Sequence, residues 1–296
     1  MDYKTAIRRY KKSRIIPENI FNDNFISLQL TEETQEVKIE EVNQFDELNK
    51  ISCQYVDDDY ITGYYFATYL VPVMKEITSF HFGFNNIIDG FLKVLNINWY
   101  GSDINNKDRY KNHYIKGGSS CDGDISNINT VRSIVNELSS MEKINIYICD
   151  INPKTSTQLY NSLIIPLTTR SSKCLNIIRL PKIWDDKFAN FIYVILHFSM
   201  VKIFITPWNG KKYVIFQGNN LSSAFIKSYI KYCEKDMSDV KQDLLFHSDI
   251  QANVKFNLYK IIQKVNSFII DEETNENNVK KYYEKIKNNE KNNRYK

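Results

Sequence analysis

The sequence contains no CxxC pair, and its five cysteines are an odd number. Both observations argue against a disulfide framework and against a cysteine-ligated zinc site. Cys149 and Cys174 stand within or beside apolar runs, where a cysteine is usually a small buried hydrophobic side chain. We therefore expect a reducing compartment, and specifically the cytoplasm.

Long apolar segments are also missing. No run approaches the ~18 residues that a membrane-spanning helix requires, and the N-terminus has no apolar signal-peptide core. Glycine and proline are scarce, at nine and six residues, whereas tyrosine and phenylalanine number 20 and 17. This bias suits a gene of low G+C content and indicates no particular function. The composition is otherwise that of a globular protein, and 296 residues suffice for one large domain with extensions.

The net charge of +4 is mild, but it is distributed unevenly. Residues 1–14 are strongly basic, residues 31–60 are acidic, and the tail from residue 280 is basic again. Basic termini can follow a phosphate backbone, so we predict RNA contacts by Arg8, Arg9, Lys11 and Lys12. The alternative is that these ends are solvated and only keep the protein in solution.

Apolar runs alternate with helical patterns from residue 95 onward. The predicted strands cover residues 95–100, 144–149, 175–180 and 201–206, and the predicted helices cover residues 125–139, 156–169 and 184–198. This alternation indicates a parallel sheet of βαβ units. The strands are apolar throughout, as expected for parallel strands that are covered on both faces. Weaker patterns predict a short strand at 25–30, a helix within 64–84, and amphipathic helices at 221–233 and 254–270.

The end of this α/β region departs from the pattern. The strand at 201–206 is followed by Trp208, Asn209 and Gly210, and then by another apolar run at 213–217. Asn-Gly is a strong hairpin signal, and the connection is too short for a crossover helix. The last strand must therefore run antiparallel, at or near the edge of the sheet. A mostly parallel sheet that closes with such a hairpin is typical of the Rossmann-like fold of class I S-adenosylmethionine-dependent methyltransferases. Other α/β folds with an antiparallel edge strand are the alternative.

These patterns divide the chain into four parts. Residues 1–60 form an N-terminal extension, and residues 61–235 form the methyltransferase-like α/β domain. Residues 236–270 form a C-terminal helical extension, and residues 271–296 form a charged tail.

Candidate functional residues lie just past the strands, because ligands of open parallel sheets bind beyond the carboxyl ends of the strands. Asp150 follows the run at 144–149. It could bind a cation, hold a hydroxyl group, or merely cap the next helix. Trp208, at the hairpin tip, could stack on a base or a cap. The four histidines have no metal-site spacing, and the acidic run at 57–59 is more typical of a solvated loop than of a cation site, so no metal is expected.

The segment from about residue 98 to residue 218 resembles the FtsJ-like ribose 2′-O-methyltransferases, which include viral cap methyltransferases. The likeness rests on Tyr100-Gly101-Ser102, on Cys121-Asp122-Gly123-Asp124 before a helix, on the strand that ends at Asp150, on Ile177-Ile178-Arg179-Leu180-Pro181, and on the hairpin. The resemblance implies a Lys-Asp-Lys-Glu tetrad around the ribose hydroxyl, in which a lysine accepts or steers the proton.

The tetrad is only partly matched. Its Asp falls on Asp150, but its second Lys falls on Arg179, which stays protonated and cannot act as a base. Lys182 is close by but past the strand end, and the family Glu falls on Lys211 or Lys212. The first Lys has no clear counterpart, and Lys75 is only a guess.

The glycine-rich cofactor turn is also altered. The corresponding stretch, residues 80–86, holds one glycine, Gly83, between Phe82 and Phe84, which are more typical of a core. Gly83 and Gly101 are the weak candidates for cofactor contacts.

A methyltransferase fold whose catalytic tetrad and cofactor turn are both altered resembles the small, regulatory subunit of poxvirus mRNA-capping enzymes. That resemblance implies a non-catalytic partner that binds and stimulates the guanine-N7 methyltransferase of a large capping subunit. It implies no cofactor, a heterodimer, possible contact with capped RNA, no membrane association, and a cytoplasmic or virion location. The alternative is an active cap ribose 2′-O-methyltransferase that uses S-adenosylmethionine, with Asp150 and Lys182 in its site.

Overall fold

The computed structural model describes the central part of the chain with gaps. The described ranges are 25–28, 59–71, 77–83, 86–104, 113–115, 123–141, 143–169, 174–181, 188–206, 211–218, 221–234, 257–258 and 260–263. Both termini lie outside these ranges, and with them Arg8, Arg9, Lys11 and Lys12.

Seven strands in the described ranges form one sheet with the spatial order β1-β6-β7-β5-β4-β2-β3. The strands are β1 (Phe25–Ser27), β2 (Thr78–Phe82), β3 (Asn98–Ser102), β4 (Ile146–Cys149), β5 (Leu175–Arg179), β6 (Met200–Ile205) and β7 (Lys212–Gln217). Strands β3, β2, β4 and β5 pair in parallel, whereas β5–β7, β7–β6 and β6–β1 are antiparallel pairs. Strands β2 to β6 consequently all run in one direction.

The predicted hairpin is confirmed, with Ile203 of β6 opposite Val214 of β7. Its turn at Asn209 and Gly210 lies outside the described residues. The last strand runs antiparallel and lies near the edge of the sheet, as predicted, but it is not the edge strand itself. Strand β7 fills the gap between β5 and β6, and β1 lies outside β6. In this place the backbone groups on both edges of β7 have hydrogen-bond partners. The sheet has the Rossmann-like, class I methyltransferase architecture predicted from the sequence.

Helices cover both faces of the sheet. They are α1 (Asp59–Tyr69), α2 (Asn86–Val94), α3 (Ile128–Ser139), α4 (Ser156–Ser162), α5 (Ile164–Thr169), α6 (Ala189–Ile195) and α7 (Ser223–Cys233). One face packs against α1 and α2, where Phe66 and Phe91 meet Ile148 and Ile177. The opposite face packs against α3 to α7. All residues of β4 are buried, which explains its continuous apolar run, and all residues of β2 are buried as well.

Several predicted boundaries move. Helix α3 begins after Asn127, whose side chain accepts a hydrogen bond from the Asn129 amide. Asp124, the residue before the predicted helix start and the cap expected from that position, instead accepts from the Ser126 amide and forms the turn before the helix. The predicted helix at 156–169 is two helices, and Pro166 lies in the first turn of the second, where its missing amide hydrogen costs little. Helix α2 was not predicted.

Candidate functional site

The carboxyl ends of β4 and β5 bring two predicted site residues together. Asp150 directly follows β4, and its amide donates to the Phe82 carbonyl at 3.0 Å. Arg179 is the last residue of β5 and lies opposite Tyr213, the second residue of β7. The insertion of β7 beside β5 therefore places a phenol at the same edge as Asp150 and Arg179.

Asp150 is held within the protein. Its side chain is 1% exposed, and its Oδ1 accepts a hydrogen bond from the Tyr213 hydroxyl at 2.8 Å. A guanidinium nitrogen of Arg179 lies 3.9 Å from the same oxygen. The following helix α4 is capped by Thr155, so helix capping is not the role of Asp150. A buried carboxylate needs such hydrogen-bonded and charged partners, because burial alone penalises its ionised form.

Tyr213 is fully buried beneath α1. Burial raises its pKa well above 10, the negative charges of Asp150 and Asp59 raise it further, and Arg179 opposes these effects. The phenol therefore stays protonated at neutral pH and acts as a hydrogen-bond donor. Its chemistry here is to fix a carboxylate and not to remove a proton.

A second charged pair lies on the same edge. Lys211 precedes β7, and its ammonium group donates to Asp59 Oδ1 at 2.5 Å. The side chains of Lys211 and Asp59 are 15% and 2% exposed. Asp59 begins α1, so the pair joins the first turn of this helix to the hairpin. We call Asp59, Asp150, Arg179, Lys211 and Tyr213 the carboxyl-edge cluster.

The carboxyl-edge cluster corrects the interpretation of the acidic run, and it shows which of the two hairpin lysines belongs to the site. The acidic run at 57–59 was interpreted as a solvated loop, which is wrong for Asp59 because it is buried. Of the two lysines considered for the place before the hairpin tyrosine, Lys211 belongs to the cluster. Lys75 and Lys182, the other lysines considered, lie outside the described residues.

Gly83 follows β2 with a φ of +87°, a conformation that favours glycine. The space beside it is already filled, because a Cβ atom there would lie 3.1 Å from the Ile151 side chain. Phe82 is completely buried, which confirms its assignment to the core, while Phe84 lies outside the described residues.

Gly101 lies within β3, opposite His81, and its carbonyl accepts from the Ile115 amide at 2.8 Å. The prediction that the strand stops before Gly101 is therefore wrong, since β3 continues to Ser102. Beyond it, Gly123 approaches so closely that a Cβ atom there would lie 2.9 Å from the Ser102 hydroxyl.

The fold class implies S-adenosylmethionine, whose methionine part lies against the backbone of the turn after the first strand. Gly83 stands at the corresponding place. No larger residue fits there or at Gly123, since an added Cβ atom would lie 3.1 Å from the Ile151 side chain and 2.9 Å from the Ser102 hydroxyl. The two glycines therefore mark points of close backbone packing at the ends of β2 and β3.

The remaining predicted contacts are not tested by the described residues. Trp208 and the basic residues of the first fourteen lie outside them. Within the described ranges, no group of three or more His, Cys, Asp or Glu side chains could hold a metal ion. Within the same ranges, no helix is both long and apolar enough to cross a bilayer.

No protein-family model matches this chain, and no curated protein matches it. Similar solved structures include the CurJ carbon methyltransferase, at 9% identity and a TM-score of 0.35, with 55% of this chain covered. The chain spans about half of the CurJ chain, 54%. Another is M. capricolum TrmK in complex with S-adenosyl-homocysteine, at 11% identity and a TM-score of 0.35. That match covers 71% of this chain and 98% of TrmK. The fold assignment rests on the sheet topology described above.

Proposed function

We propose that this chain is a non-catalytic subunit with a methyltransferase fold, which binds and stimulates the guanine-N7 methyltransferase of a larger mRNA-capping protein. The observation that carries the proposal is the state of Asp150. Its carboxylate accepts from the Tyr213 phenol and lies 3.9 Å from Arg179, where methyl transfer to a ribose would need a lysine.

Proton transfer explains why this substitution matters. A ribose hydroxyl has to lose its proton as it attacks a methyl group, and a lysine with a lowered pKa can accept or steer that proton. A guanidinium group remains charged at every pH a folded protein tolerates, so Arg179 cannot take this role. Loss of the base costs about 10²–10⁴ in rate, enough to silence the reaction.

Lys211, the lysine of the carboxyl-edge cluster, is also engaged. Lys211 donates to the buried carboxylate of Asp59, which lowers its freedom to contact a substrate. With an arginine in place of the substrate base and Lys211 engaged by Asp59, the fold serves best as a binding surface.

The expected partner is a larger capping polypeptide, joined through an obligate interface of upwards of about 2,000 Å². Stimulation would be allosteric, through preferential binding to an ordered, cofactor-competent state of the large subunit. Two regions are candidates for this interface, residues 60–69 in the aromatic helix α1 and residues 254–270, because both carry more apolar residues than one core-facing stripe requires. Tyr65, Phe66 and Leu258 are, however, buried in the chain's own cores, so partner contacts must use other residues.

Methyl transfer by the purified chain tests the proposal. Capped RNA and labelled S-adenosylmethionine are incubated with the chain alone, and label at the first ribose is measured. We expect none above a blank without protein. Label that disappears in Asp150→Asn would instead establish the active 2′-O-methyltransferase and overturn the proposal. Saturable binding of S-adenosylmethionine in calorimetry would contradict the expectation that the chain takes no cofactor.

RNA contact by the basic termini is part of the same proposal. Neutralising Arg8, Arg9, Lys11 and Lys12 together should weaken RNA binding and reduce its dependence on salt concentration. A matched variant with four exposed lysines neutralised elsewhere controls for net charge. Equal RNA affinity in the two variants would assign the basic N-terminus to solubility alone. Residence in the cytoplasm or a virion remains a proposal that follows from the capping role.

A further inference from the structure

We infer that the Asp59–Lys211 ion pair is a latch, which holds the first turn of α1 against the carboxyl edge of the sheet and closes off Asp150. The inference goes beyond the proposed function, because it concerns access to the edge and holds for a catalytic or a non-catalytic chain. It assigns the start of α1 to a closing contact that can open while the rest of the fold remains intact.

The two residues come from distant parts of the chain. Asp59 begins α1 and Lys211 precedes β7, 152 positions later, yet Lys211 Nζ lies 2.5 Å from Asp59 Oδ1. Asp59 is 2% exposed, and the Lys211 ammonium group contributes to compensating its buried charge. Lys211 keeps 15% exposure, which leaves a path for water to compete for its ammonium group.

The rest of α1 is held separately, by aromatic packing. Phe66 lies edge-on to Tyr213 at 5.4 Å and to Phe204 at 5.3 Å, and Tyr65 stacks on Phe204 at 5.4 Å. These contacts lie about two turns beyond Asp59, since 3.6 residues make one turn. The first turn can therefore leave the edge without loss of the apolar anchor, much as helix ends open locally in folded proteins.

The latch controls Asp150 through Tyr213. The phenol donates to Asp150 at 2.8 Å, and both carboxylates, Asp150 and Asp59, act on its electrostatics. Tyr213 therefore lies between the latch and the carboxylate, and it is fully buried while α1 is in place. Movement of Asp59 away from Lys211 would give water access to the Tyr213 hydroxyl, and through it to Asp150, while Phe66 still covers the Tyr213 ring.

The test uses Lys211→Met, with Lys227→Met on the exposed face of α7 as the matched control. In both variants 3-fluorotyrosine is placed at position 213, and its pKa is followed by fluorine NMR. If the latch opens, Tyr213 meets water and its pKa falls relative to the control. If α1 stays closed, the uncompensated charge of Asp59 raises the pKa further, and the inference is overturned. The two outcomes have opposite signs.

Hydrogen exchange provides the second measurement, and it also serves if Lys211→Met does not fold. Asp59→Asn should increase exchange of the amides of residues 63 to 65, which donate to the first-turn carbonyls of α1, about tenfold or more, while the amides of β4 and β5 keep their protection. The exchanged pair, Asp59→Lys with Lys211→Asp, should restore protection of the first turn. Unchanged exchange in Asp59→Asn, or equal loss across the whole sheet, would refute a local latch. Neither readout depends on methyl transfer.

Discussion

The substitution Tyr213→Phe removes the phenol oxygen and measures how much its hydrogen bond to Asp150 contributes to the free energy of unfolding. The phenol is completely buried and its hydrogen bond to Asp150 Oδ1 is 2.8 Å long. A hydrogen bond to a charged group contributes roughly 1.5–3 kcal/mol, and the lost donor leaves a buried carboxylate with less compensation. We expect a loss of about 2 kcal/mol in the free energy of unfolding. In urea, with an m-value of about 3 kcal/mol/M, the midpoint falls by about 0.7 M.

Tyr147→Phe is the matched control for this experiment. Tyr147 is also completely buried, but its phenol lies beside the Cys149 thiol and not beside a carboxylate. A thiol is a weak hydrogen-bond partner, so this variant should lose less than about 1 kcal/mol. Equal midpoints for the two variants would refute the claim that the phenol compensates the charge of Asp150. A fall for Tyr213→Phe alone confirms it.

Three further predictions concern burial elsewhere in the sheet. Burial lowers the pKa of His81 to about 3, so only the unfolded chain takes up this proton between pH 6.5 and 3. Stability should thus fall as the pH drops below 6.5, by about 2 kcal/mol at pH 5, and His81→Phe should flatten that part of the urea-midpoint profile. Gly63→Ala should lower the free energy of unfolding, measured in urea, by about 1–3 kcal/mol, because the added Cβ would lie 2.1 Å from the Ile87 carbonyl oxygen. Helix propensity alone predicts the opposite, and a gain in stability would contradict the close α1–α2 contact. Burial raises the pKa of the Cys149 and Cys174 thiols to about 12, so a thiol reagent should label these two in urea and not in buffer, as read by peptide mass spectrometry.

The sheet was largely predictable because its strands are buried on both faces. That burial requires continuous apolar runs, and the runs at 144–149 and 175–180 therefore marked β4 and β5. The hairpin was predictable from the short Asn-Gly connection. The position of β7 was not, because sequence fixes the direction of a hairpin strand but not the side on which it joins the sheet.

Some residues of the carboxyl-edge cluster were predictable for a related reason, and others were not. Asp150 and Arg179 each end a strand, and the carboxyl ends of parallel strands meet at one edge. Asp59 gave no such signal, since its partner Lys211 lies 152 positions away and an acidic run normally favours solvent. The close packing at Gly83 was equally hidden, because it depends on the side chain of Ile151, which lies just past the neighbouring strand β4.

Isolation of the chain from its native source, under conditions that preserve complexes, tests the capping-subunit proposal most directly. The bound polypeptides are identified by mass spectrometry, and the complex is assayed for guanine-N7 methyl transfer with and without this chain. We predict recovery with a larger polypeptide that carries guanylyltransferase or methyltransferase activity, and a lower N7 rate when the chain is removed. Recovery as a lone monomer, or an N7 rate that is independent of the chain, would contradict the account.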